Sequence, residues 1–209
     1  MGRKVALLGN GGFAKEVAEV IVLTGNEVVA CYGHSENDFA APYRGYLDEL
    51  AADRDRFDAV ALAIGATNRR TLKQRAELSR WLSDRKFASI PLISPHAVIS
   101  SGATVEDGAF IGHGAIIGVD AIVRTEALIN IGAIIGHDAL ISERAIIAPA
   151  AFVGGGACVG SDTIIGPHAR ILQGIAIGDD VIVGIGSTAL KSLPDSATVW
   201  PQPSPVMKA

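Results

Sequence analysis

His137 and Asp138 are the adjacent pair in this sequence best suited to moving a proton. An imidazole accepts protons near neutral pH, and a carboxylate beside it can orient the ring and favour its charged form. Neighbouring residues of a strand point to opposite faces. The pairing therefore requires a corner at Gly136-His137-Asp138, which the glycine permits. The residues alone leave two readings open, a general base or an ordinary solvated surface histidine. His96, His113 and His168 fall where a repeat turns its corners and read as surface or structural residues, although His113 is also placed to line a groove between subunits. A metal-dependent hydratase on a related solenoid needs three histidines, two of them five residues apart. His34, His96, His113, His137 and His168 contain no such pair, so no metal is expected.

A second chemical element lies near the start of the chain. Gly9, Gly11 and Ala14 match the G-x-G-x-x-G/A turn, between a strand and a helical pattern. Such glycines let backbone N–H groups approach a diphosphate at a helix N-terminus. The alternative is a tight turn with no ligand. Lys4–Leu8 reads as a buried strand, followed by a helix carrying Val17, Val20, Ile21 and Leu23. Residues 27–31 and 58–64 read as further strands, and 69–86 as a helix. Alternating strands and helices predict a small parallel α/β unit over residues 1–90. At about half the size of a full dinucleotide fold, it suits a nucleoside diphosphate better than NAD.

The remainder is organised by a repeat. From Ile93, every sixth residue to Val183 is Ile or Val, sixteen in succession, and Ala97 to Ala157 form an alanine register two positions earlier. A β-branched side chain every six residues suits short strands that point one residue inward. Three strands close a triangular coil, and stacked coils bury the column. A helix would require apolar positions three and four apart. The solenoid is predicted over residues 91–192, with a proline-bearing extended tail over 193–209.

The composition fits this plan: 209 residues, 49% hydrophobic, 19% charged, net charge −4. That balance argues against nucleic acid as a partner. Cys31 and Cys158 form no metal or redox spacing and no disulfide framework. The first apolar run is too short for a signal peptide, and the most apolar later stretch carries Asn130, His137, Asp138, Glu143 and Arg144. Neither membrane insertion nor export is expected, and the cytoplasm is the expected location.

The chain resembles the bacterial sialic-acid O-acetyltransferase-like family, which includes acetyltransferases of nucleotide-linked amino sugars. The resemblance spans nearly the whole chain. It rests on the GNGGFAK turn, Ala63-Ile64-Gly65 with Arg70 beyond, Ser94-Pro95-His96-Ala97 where the solenoid begins, and Asn130 seven residues before His137-Asp138. It implies a Rossmann-like cap followed by a left-handed parallel β-helix, a homotrimer, and acetyl-CoA in a groove between neighbouring β-helices. It implies His137 as general base, with Asp138 and Asn130 as its catalytic companions. The acceptor sugar would meet Gly9, Gly11, Gly12, Phe13, Gly65 and Arg70. Acetyl-CoA would meet Ile146, Gly154, Gly155, Pro167, Ile185 and Lys191; the glycines and Lys191 also read as a relieved corner and a solvated side chain. Three positions depart from the family pattern: Phe13 replaces a histidine, Cys31-Tyr32-Gly33-His34 replaces a pair of aspartates, and Ile146 replaces a second histidine. The expected activity is acetyl transfer to a sugar amine, with O-acetylation or a non-catalytic nucleotide-binding trimeric scaffold as the alternatives.

Overall fold

A computed structural model describes residues 2–36 and 41–201. Pro203 and Pro205 of the expected tail lie outside the described residues. The first unit is a three-stranded parallel sheet, β1 (Lys4–Leu8), β2 (Glu27–Tyr32) and β3 (Ala59–Leu62), in the order β2-β1-β3. Helix α1 (Gly12–Leu23) follows β1, α2 (Leu47–Ala52) precedes β3, and α3 (Arg69–Asp84) follows β3. The apolar runs of β1 and β3 are buried on both faces, as expected of parallel strands covered by helices. Asn68 caps α3, its side chain accepting from the Thr71 N–H at 3.0 Å. The short α2 and a 3-10 turn at Arg54–Arg56 were not legible in the sequence.

Eighteen two-residue strands then build a parallel solenoid, from Leu92–Ile93 to Thr198–Val199. They sort into three faces of seven, six and five strands. The first face begins at Leu92–Ile93, the second at Val98–Ile99 and the third at Thr104–Val105. Pairing advances by eighteen residues, three hexads per coil: Ile135 pairs with Val153, and Val153 with Ile171. The β-branched column and the alanine register point inward and form one core that includes Ile111, Ile117, Val123, Ala127 and Ile129, all fully buried. Each such aliphatic side chain contributes roughly 1.5–3 kcal/mol over exposure, which stabilises the prism without aromatic residues. Thr163 interrupts the alanine register, and its hydroxyl donates to Gly178 O and accepts from the Val181 N–H.

The cap docks on the first face. The outward residues there, Leu92, Phe110, Leu128, Ile146 and Ile164, are buried with Val5, Leu7, Val17 and Ile21 in one cluster. Polar contacts pin α3 to the solenoid. Arg75 donates from Nε to Ile64 O at 2.9 Å and from Nη2 to Glu126 O at 2.7 Å. Burial pushes the Glu126 carboxyl up and the Arg75 guanidinium down. Arg69 reaches Asp180 and Ser196 O on the last coil.

Candidate active site

His137 sits on the corner between the second and third faces, between Ile134–Ile135 and Leu140–Ile141. Asp138 adopts φ +57°, the left-handed conformation that turns the chain there. The corner brings the two side chains together, with Nδ1 of His137 2.6 Å from Oδ2 of Asp138. Both are well exposed, at 71% and 65% of their side-chain surface. The carboxylate accepts from Nδ1–H, which leaves Nε2 as the lone-pair nitrogen. Neighbouring coils hold the corner backbone: the Asp138 N–H donates to Val119 O, and the Gly156 N–H to His137 O. Gly155, one coil on, lies under the ring. A Cβ there would come within 2.5 Å of Nε2.

The eighteen-residue register sorts the other sequence candidates onto two edges of the prism. Two residues past Ile135, Val153, Ile171 and Ala189 stand His137, Gly155, Gln173 and Lys191 in one column. Lys191 is exposed, three coils from His137, roughly 14 Å at normal strand spacing. Gly154 needs its missing side chain for stacking, since a Cβ would meet Gln173 backbone at 2.5 Å. The edge between the first and second faces carries the rest. Two residues past Ile129, Ile147, Ile165 and Val183 stand Ile131, Pro149, Pro167 and Ile185. Asn130 is beside Ile131, and its Oδ1 accepts the Ile131 N–H at 2.7 Å. A single chain therefore does not bring Asn130 to His137; a full face of the triangle separates them.

A cleft of about 390 Å³ opens between the cap and the edge that carries Asn130. Phe13 and Gly65 line it from the cap, and Asn130, Ile146, Pro167 and Ile185 from the solenoid. Ile146 itself is buried on the first face against the cap. The Phe13 ring packs edge-on against Phe110, 5.2 Å between centroids. At the glycine turn, Gly9 is fixed by packing: its φ is +124° and a Cβ would meet Ala63 O at 2.5 Å. Gly11 and Gly12 are different, for a Cβ on either would meet nothing within 4 Å. They leave open space ahead of the first N–H groups of α1, where an anion is favoured. Arg70 is exposed on the first turn of α3 and does not line the cleft.

The sequence reading missed Glu16 and Trp200, both on the cleft wall. Glu16 lies one helical turn after Phe13, a spacing that puts both on one face of α1. Burial raises the Glu16 carboxyl; His113 pulls against this, and Glu19 adds to it. His113 packs beneath α1. Its Nδ1 is 2.6 Å from Ser94 Oγ and its Nε2 3.2 Å from Glu19 Oε2. Ser94 Oγ also accepts the His96 N–H. Among the described residues, no group of three or more His, Cys, Asp or Glu is arranged to hold a metal, and no helix is long and apolar enough to cross a membrane.

Known proteins share this architecture. The family model of the PglD N-terminal domain matches residues 4–76. A crystal structure of PerB from Caulobacter crescentus, in complex with CoA and GDP-perosamine, superposes with a TM-score of 0.87 at 31% identity, covering 93% of this chain and 92% of that one. A variant of perosamine N-acetyltransferase from the same organism matches at 30% identity with the same TM-score and coverage. The acetyltransferase domain of PglB from Neisseria gonorrhoeae, in complex with acetyl coenzyme A, has the same fold at 23% identity, with a TM-score of 0.83 over 95% of this chain and 96% of that one. No curated protein sequence matches the chain. With its PglD-type cap, its hexapeptide-repeat solenoid and this likeness along nearly its full length, the chain belongs to the bacterial sugar acetyltransferases, a group of acyltransferases.

Proposed function

We propose that the protein transfers acetyl from acetyl-CoA to the amino group of a nucleotide-linked amino sugar, with His137 as general base. The observation that carries this is the His137–Asp138 contact of 2.6 Å on an exposed corner, with Nε2 unengaged. Asp138 holds the ring in the tautomer whose Nε2 accepts a proton. As the sugar nitrogen bonds to the acetyl carbon, its proton passes to Nε2. The C–S bond breaks, and the imidazolium returns the proton to the departing thiolate. Asn130 Oδ1 is held by its own turn, so Nδ2 is free to donate to the carbonyl oxygen as charge develops. Nitrogen rather than oxygen acceptance follows the perosamine N-acetyltransferase relatives, at 30% and 31% identity to this chain.

The separation of Asn130 from His137 favours a site completed by a second subunit, and we take the assembly to be a trimer. The second face offers the surface for it. Val98, Ile116, Ile134 and Phe152 form an outward apolar column there, each between 39% and 56% exposed. A cyclic arrangement of prisms would cover that column and bring the His137 edge of one subunit against the Asn130 edge of the next. Acetyl-CoA fits such a groove. Pro167 and Ile185 give the pantetheine arm an apolar wall and Lys191 offers charge to its phosphates, while the space beside Gly154 and Gly155 is taken by the Gln173 backbone and the His137 ring. The cap turn at Gly11 and Gly12 would take the nucleotide diphosphate.

A thiol-release assay with acetyl-CoA and a panel of UDP-, GDP- and dTDP-linked amino sugars tests the reading. Turnover with at least one amine acceptor is expected. Thiol release only with hydroxyl acceptors would replace it by O-acetylation, and silence across the panel together with nucleotide binding would leave a scaffold.

A further inference from the structure

We propose that Glu16 is a specificity-determining residue that accepts a hydrogen bond from a ring hydroxyl of the acceptor sugar. The proposal rests on the proposed function and on the acceptor occupying the cap–solenoid cleft, which Phe13 and Gly65 of the expected sugar-contacting residues line. Glu16 is the charged side chain among the residues that line this cleft; Thr67 and Asn130 are polar, and the wall is otherwise apolar or glycine. Its Oε2 is buried and has no hydrogen-bond partner. Leaving a buried carboxylate oxygen without a donor is costly, so such a group calls for a partner supplied from elsewhere. The cleft is the side from which one can come.

The local chemistry narrows what that partner is. Burial, and Glu19 on the next turn, push the Glu16 carboxyl up, while His113 opposes them. Burial thus leaves the carboxyl in greater need of a donor than an exposed one, and His113 is already engaged by Ser94 and Glu19. A neutral hydroxyl suits such an acceptor, since it supplies the missing donor with no second buried charge. The amine that is to be acetylated must keep its lone pair free for the acetyl carbon, so it is not the group Glu16 would hold.

Steady-state kinetics of Glu16→Gln and Glu16→Ala test this, with the best acceptor of the panel and analogues of it that each lack one ring hydroxyl. Both variants should raise KM for the full acceptor on the order of 10- to 100-fold, with kcat changed less and KM for acetyl-CoA unchanged. One analogue should already show the raised KM with the native enzyme and lose nothing further in Glu16→Ala. Melting temperatures within a degree or two of the native protein would separate this from a folding effect. Equal losses for every analogue, or an unchanged acceptor KM in both variants, would overturn the proposal while leaving the acetyltransferase reading intact. A native enzyme inert toward the whole panel would overturn both.

Discussion

The imidazole of His137 rests on Gly155, so that even a methyl group on Gly155 would approach Nε2 to 2.5 Å. Gly155 has an ordinary negative φ, so alanine is conformationally acceptable there. Gly155→Ala should displace the ring and lower kcat on the order of 10- to 1,000-fold, with the solenoid intact. Steady-state kinetics and circular dichroism would check this. If only KM for acetyl-CoA rose, the glycine would be a contact for the pantetheine arm and not a support for the base.

Gly11→Val separates ligand approach from turn geometry. Gly11 has φ −83° and open space where a side chain would stand, so the cap should fold normally. Affinity for the sugar nucleotide, measured by calorimetry, should fall at least about tenfold, because the valine would occupy the approach to the α1 N–H groups. Unchanged affinity would make this glycine turn structural only.

The six-residue rhythm made the solenoid legible: sixteen Ile or Val positions mark the inward residues, and every one ends a strand. A slower rhythm was overlooked. Leu92, Phe110, Leu128, Ile146, Ile164 and Ile182 recur every eighteen residues, one place before an inward residue, and they mark the face the cap covers. The same period stacks Gly155 beneath His137 and sends Asn130 to another edge. A motif read along the chain cannot show this, since residues seven apart lie a full face apart in a three-sided coil. The His137–Asp138 corner was legible because only a turn lets adjacent residues meet. Glu16 was not, because nothing in its spacing distinguishes a cleft wall from a solvated helix face.

The cap should show a defined acid sensitivity. Asp53 accepts from Arg44 at 2.6 Å and from the Tyr32 hydroxyl at 2.9 Å, and the Arg44 contact is the main cause holding its carboxyl below the usual 3.8. A lowered folded-state pKa gives stability that is present above pH 3.8 and is lost as pH falls through the folded value. Asp53→Asn should therefore melt earlier than the native protein at pH 7, and the two curves should converge in strong acid. A constant difference at all pH values would assign the loss to packing.

Mixed oligomers test the shared site. His137→Ala and Asn130→Ala subunits should each be nearly inactive alone. Co-expressed and purified through two different tags, mixed trimers should recover activity in roughly a third of their sites, one per trimer, if each site takes one residue from each neighbour. Mixed oligomers with no more activity than the parents would place both residues in the same subunit's site.

If His137 is the base of an acetyl transfer, His137→Ala must lose turnover in the thiol-release assay with the best amine acceptor. The side chain points away from the Ile/Val column, so oligomeric state and affinity for acetyl-CoA should match the native protein. The variant's kcat should be lower by roughly 10²–10⁴-fold. A correctly assembled variant with near-native turnover would contradict the role of His137 as base.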